Sequence, residues 1–244
     1  MRAPLLTLLF CSACPGFSKD DTGDVGNYTG EGEGEGEGEG EGEGEGEPSV
    51  GAGVFLYNGA GGGDYDIYEE DVARLYEDNG ISATVSDTVP EGIEAEHGTL
   101  ILLSPTSGFD EALVTAGKAL LAGGGRVVVV TEHDGYGDHE GATDYLARLG
   151  SSMASIDSSI TGSLNLEVSP VAPLTDGVNS LTLFYAAEVD PGDGDPVGTY
   201  DGAVLIAAED VGPGQVVEIC DGSLFGYVLD SGDNPTFLLN LAKR

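Results

Sequence analysis

Three apolar runs limit how this chain can fold: Val54–Tyr57 (VFLY), Thr99–Leu103 (TLILL) and Arg126–Thr131 (RVVVVT). None alternates apolar with polar residues, so each reads as a strand covered on both faces. Segments with helical spacing lie between them. Ile67–Asp78 gathers Ile67, Val72, Leu75 and Tyr76 near one face, with Gly80 as a stop. Asp110–Ala122 does the same with Leu113, Ala116, Leu120 and Leu121, and ends at Gly123-Gly124-Gly125. Ser82–Ser86 adds a strand, and Gly141–Leu149 a third helix closed by Gly150. Strands alternating with helices over short links imply right-handed crossovers and a parallel sheet. The last third is β-rich, at Leu164–Ser169, Leu181–Ala187, Ala203–Ala208 and Gln215–Ile219, before a closing helix near Pro235–Ala242. The expected fold is α/β: a three-layer sandwich with a mostly parallel central sheet and extra antiparallel strands in the C-terminal third.

This pattern starts only at about residue 51. Met1-Arg2 is a minimal basic start, and Ala3–Phe10 is a short apolar stretch, far below the ~20 residues that span a bilayer. Residues 1–13 therefore read as an export signal peptide. Ser12-Ala13-Cys14 resembles a bacterial lipobox, in which small residues precede a lipidated Cys. The departure is Cys11, where that pattern prefers an aliphatic residue. Cleavage after Ala13 with free secretion is the competing reading. Residues 14–50 form an acidic Gly-Glu linker, strictly alternating from Glu31 to Glu47. That tract has no apolar face to bury, its like charges repel, and its glycines raise the cost of ordering, so it reads as a disordered spacer. The expected location is the bacterial cell envelope outside the cytoplasm, with the membrane reached through the N-terminal lipid.

Charge excludes one class of partner. The chain holds 44 Asp and Glu against 8 Lys and Arg, a net charge of −36. No basic stripe for nucleic acid can be built from so few cations. Twelve of the acids and two of the bases lie in residues 1–50, so the domain at 51–244 carries most of the excess.

Four segments carry a family resemblance: Val54–Gly63 (VFLYNGAGGG), Gly123–Thr131 (GGGRVVVVT), Pro173–Leu183 (PLTDGVNSLTL) and Gln215–Leu241. In this order they resemble the class I glutamine amidotransferase-like superfamily in its non-catalytic branch. That branch includes the trehalose-utilisation (ThuA-like) domains and the amidotransferase-like domains of gliding-motility and intraflagellar-transport proteins. The resemblance spans about residues 53–242 and implies a flavodoxin-like, amidotransferase-like sandwich. Catalytic members place a nucleophilic Cys just after the strand matching Arg126–Thr131. Here Glu132-His133-Asp134 stands there, which implies that the amidotransferase reaction is absent. Cys220, flanked by Glu218 and Asp221, reads as a small buried core residue with a raised pKa.

Three loops are candidates for binding. Gly59–Gly63 follows the first strand, where a phosphate cradle would sit, but Asp64, Asp66, Glu69, Glu70 and Asp71 crowd the helix start and repel phosphate. Gly61, Gly62, Asp64 and Tyr65 remain candidates for a neutral ligand such as a sugar. Glu132–Glu140 packs two His and several acids into nine residues after a central strand, on the edge where doubly wound sheets bind ligands. Ser104, Glu132, His133 and Asp134 are the ligand-binding candidates there. His133, Asp138 and His139 are candidate ligands for Zn²⁺ or Ca²⁺, although no standard ligand spacing is met. A solvated acidic loop that starts the next helix accounts for the same residues. Asp190–Asp195 looks like a weak Ca²⁺ loop or a solvated turn, and His97 reads as a surface residue. Two functions follow. One is a non-enzymatic binding or scaffold domain held on an acidic stalk, taking a protein partner or a neutral small ligand. The other is a metal-assisted hydrolase of a sugar or amide, with His133 and His139 as ligands and Glu132 as base.

Overall fold

The computed structural model describes residues 50–59, 67–104 and 109–243. The signal peptide, Cys14, the Gly-Glu linker and the candidates Gly61, Gly62, Asp64 and Tyr65 lie outside the described residues. The protein is α/β, built on one nine-stranded mixed sheet. In chain order the elements are β1 (Gly53–Tyr57), α1 (Glu69–Asp78), β2 (Ala83–Ser86), β3 (His97–Leu102), α2 (Glu111–Ala122), β4 (Arg126–Val130), α3 (His139–Leu149), β5 (Ala154–Val168), β6 (Leu181–Asp190), β7 (Asp195–Tyr200), β8 (Ala203–Val211), β9 (Gly214–Ile219) and α4 (Asn234–Leu241). Short 3-10 turns lie at Ile93–Ala95, Asp134–Tyr136 and Gly222–Phe225.

The sheet order is β2-β1-β3-β4-β9-β8-β7-β5-β6. The first five are parallel to their neighbours, and the rest pair antiparallel. β9, from the end of the chain, sits between β4 and β8.

The apolar runs are buried on both faces, as their lack of alternation requires. Val54, Leu56, Ile101, Val128, Val130 and Val217 join one apolar cluster with Val72 and Tyr76 of α1 and Phe237 and Leu241 of α4. Their chain neighbours Phe55, Leu100, Val127, Val129 and Val216 join a second with Leu113 and Leu120 of α2 and Tyr145 and Leu146 of α3. Each fully buried Val, Leu or Phe contributes about 1.5–3 kcal/mol relative to exposure.

Several polar groups drawn into these layers find hydrogen-bond partners there. The Tyr76 hydroxyl donates to the Leu238 carbonyl (2.7 Å) and the Tyr145 hydroxyl to that of Leu113 (3.2 Å). Arg126 opens β4 while only 3% exposed. Its guanidinium donates to Gln215 Oε1 (3.0 Å), to the Asn240 carbonyl (2.9 Å) and to the Leu241 carbonyl, so it caps the C-terminus of α4. Asp110 caps α2 by accepting from Leu113 N–H (2.9 Å). Gly150 ends α3 in the left-handed conformation (φ 97°).

Some expectations are corrected. His97 is buried: it contacts the Ile93 carbonyl through Nδ1 (3.3 Å) and Thr84 Oγ1 through Nε2 (3.1 Å), and its ring meets Phe55 edge to face. Two ring partners let an imidazole leave water at little cost. The Asp190–Asp195 loop joins β6 to β7, a strand the sequence reading missed because Asp195-Pro196 signals a turn. Pro196 is tolerated because β5 reaches β7 only at Gly198 and Thr199. β5 begins ten residues before the expected start of its strand, through a polar stretch with two register irregularities.

Candidate functional site

The site forms where β3, β4 and β9 end, at the carboxyl edge of the parallel half. Glu132 follows β4 by two residues and is 3% exposed. Its Oε1 accepts from Ser104 Oγ (3.0 Å), beyond the end of β3, and from Gly222 N–H (2.8 Å), beyond the end of β9. One carboxylate therefore pins three strand ends. Gly222 is required: a Cβ there would lie 2.0 Å from Glu132 Oε1.

Next to it, Asp221 ties β6 to the same edge. Asp221 Oδ2 accepts from Phe184 N–H (2.7 Å), its Oδ1 accepts from Ser223 N–H (2.8 Å), and the Ser223 hydroxyl donates to Oδ2. Four non-glycine residues of the described chain have positive φ. Three belong to this site: Ser104 (39°), Asp134 (48°) and Tyr185 (65°). Left-handed backbone at a bulky residue costs on the order of 1–3 kcal/mol and persists only where the surroundings enforce it.

Tyr185 is held in that conformation against a row of rings. His133 stacks on Tyr185 (centroids 5.3 Å, planes 23° apart) and tilts against Tyr136 (5.0 Å). Tyr185 meets Phe184 edge to face (4.6 Å), and Phe184 meets Tyr227 (5.0 Å). The row ends in exposed tyrosines, Tyr136 at 66% and Tyr227 at 57%. His133 Nδ1 lies 3.7 Å from Glu132 Oε2, beyond hydrogen-bond reach, and has no hydrogen-bond partner among the described residues.

The expected metal ligands are not brought together. His139 is the first residue of α3, with Nδ1 2.8 Å from Ser155 Oγ and Nε2 3.2 Å from the Asp134 carbonyl. The Asp138 carboxylate caps α3 by accepting from Gly141 N–H (2.9 Å). Among the described residues, no group of three His, Cys, Asp or Glu side chains is placed to hold a metal ion.

A second polar cluster lies beneath. Ser155 Oγ donates to Thr131 Oγ1 (3.3 Å), which donates to Cys220 Sγ (3.0 Å); Glu218 Oε1 is 3.7 Å from that sulfur. Glu218 is fully buried and its Oε2 has no hydrogen-bond partner among the described residues. Burial pushes the Glu218 carboxyl up to about 7, against hydrogen bonds from Ser155 and Cys220. Burial, reinforced by Glu218, pushes the Cys220 thiol well above its ordinary value, so it is held as an inert thiol, as the sequence suggested.

The sequence reading found Ser104, Glu132, His133 and Asp134 on this edge but missed Asp221, Gly222, Phe184, Tyr185 and Tyr227. Asp221-Gly222, directly after an apolar strand, was the available signal, since that strand's carboxyl end shares the edge.

No family model matches the chain, and no curated protein matches it significantly. Solved structures do resemble it. The mmIFT52 N-terminal domain aligns with a TM-score of 0.56 at 11% identity, over 76% of this chain and 93% of that one. Cytoplasmic protein STM1381 from Salmonella typhimurium aligns at 0.56 and 13% identity, over 78% and 97%. The β-galactosidase from Bacillus circulans sp. alkalophilus aligns at 0.53 and 12% identity over 79% of this chain, which spans only 30% of that enzyme. At these identities the likeness concerns the fold alone.

Proposed function

We propose that the chain is an exported, lipid-anchored protein of the bacterial cell envelope. Its globular part is a three-layer, amidotransferase-like sandwich acting as a non-enzymatic binding or scaffold domain, presented on an acidic stalk. The observation that carries the binding reading is Glu132. At the turn after β4, where the resemblance expects a nucleophile, a buried carboxylate holds Ser104 and Gly222 and so braces the edge. Around it, strained backbone and a row of rings with exposed ends make a rigid surface. Packing of the helices in two clusters against opposite faces of the strands supports the three-layer reading.

The anchor is tested by radiolabelled palmitate fed to a bacterial host making the full chain. Label in the parent and none in Cys14→Ser is expected; label surviving that substitution, or none in either, refutes it. The binding reading is tested by metal analysis of the purified chain. Stoichiometric Zn²⁺, lost in the His133→Ala/His139→Ala double variant, would replace it with the metal-assisted hydrolase.

A further inference from the structure

We infer that the aromatic row docks an arginine-bearing segment of a partner polypeptide. This deepens the binding reading above and rests on it.

The first observation is the form of the surface. Tyr136, His133, Tyr185, Phe184 and Tyr227 are in successive ring contact, with exposed tyrosines at both ends of the series. Tyr185 accepts a left-handed backbone within that series (φ 65°). That backbone falls at the register irregularity between the Ile160–Ala186 and Ser163–Phe184 pairs of β5 and β6, and the residue stays part-buried.

The second observation is where the row leads. Tyr227 lines a groove of about 540 Å³ between α1 and the segment before α4, together with Tyr68, which is 43% exposed. Asp71, Asp78 and Asp230 also line it. Arg74 is the one cation among the lining residues, and it is paired with Asp71 (2.8 Å). At the other end of the row, Asp134 is exposed beside His133.

Ring faces carry negative quadrupole density and attract a cation placed over them. Carboxylates at both ends reinforce that attraction and repel an anion. A guanidinium fits both demands. It is planar, stacks on tyrosine and donates in a fork to a carboxylate, whereas an ammonium is a hydrated point charge. The occupant is thus an extended segment carrying arginines, one over the row and one in the Tyr68–Tyr227 groove.

The test uses the full chain and an unstructured Gly-Arg-Gly-Arg-Gly peptide, followed by titration calorimetry. A chain of net charge −36 attracts any basic peptide, so the diagnostic variants leave charge unchanged. Tyr136 and Tyr227 are exposed, and replacing them leaves the core intact. Tyr136→Ala/Tyr227→Ala is expected to weaken binding roughly five- to thirtyfold, the range two exposed cation–π contacts support. Tyr136→Phe/Tyr227→Phe, which keeps the rings, is expected to stay within about twofold. A peptide with citrulline in place of arginine is expected to bind at least tenfold more weakly. Equal binding by parent and Ala variant, equal binding of the citrulline peptide, or no binding of the arginine peptide each overturns the proposal. Binding of cellobiose at the same tyrosines, with none of the peptide, would overturn the arginine assignment and leave the binding-domain reading standing.

Discussion

Glu218 makes the fold's stability depend on pH in the direction opposite to most carboxylates. It lies on β9 between β4 and β8, with no exposure and, among the described residues, no hydrogen-bond partner for Oε2. Unfolded, the carboxyl titrates near 4.5; folded, burial raises it to about 7. A raised carboxyl means that the native state keeps a proton the unfolded chain releases. The stabilisation is fully present below pH 4.5, shrinks as pH rises, and is lost above about 7. At 1.36 kcal/mol per unit, the loss across that window is about 3 kcal/mol. For a domain of this size that is on the order of 6–12 °C in Tm. Glu218→Gln removes the titration while keeping the shape. Urea unfolding of parent and variant at half-unit steps from pH 4.5 to 8.5 isolates the effect, because the other acids contribute equally to both. The difference in unfolding free energy is expected to move by about 3 kcal/mol in favour of Gln across the window. Parallel profiles, offset by a constant, would refute the reasoning.

Three further outcomes follow from particular contacts. Gly222→Ala drives a Cβ against Glu132 Oε1 and is expected to lower stability by about 1–3 kcal/mol, read as Tm; an unchanged Tm would show that the Glu132 brace yields freely. Arg126→Met strips the cap from α4 and is expected to cost about 1–3 kcal/mol, with faster amide exchange in α4 than in α3; equal acceleration in both helices would count against a local cap. In a Cys11→Ser/Cys14→Ser background, Cys220 is expected to resist maleimide labelling at pH 8 until urea unfolds the domain, and rapid native labelling would show its burial to be wrong.

The elements most legible in the sequence were those whose identity depends on one kind of burial. Val127–Val130 has no polar alternative, so nothing but a doubly covered strand suits it. Asp110 and Gly123 mark α2 because caps are local chemistry. Only the last third of β5 is legible: Ser155–Gly162 is largely polar, and its partner β6 is fixed by tertiary pairing that no local pattern encodes. The site divides the same way. Glu132 was visible from its place after a central strand. Tyr185 was not, because its role depends on a backbone angle and on a neighbour 52 residues away in the chain. A polar residue beside Glu96 signals surface, yet His97 is buried, because the Ile93 carbonyl and the Thr84 hydroxyl occupy its two ring nitrogens.

The position of β9 has a consequence for how the chain reaches this fold. The last strand in sequence is an interior strand of the sheet, paired with β4 on one side and β8 on the other. A chain ending before residue 214 carries two bare strand edges, one parallel and one antiparallel, both open to pairing with other molecules. The two halves of the sheet therefore become one only when Gly214–Ile219 is in place.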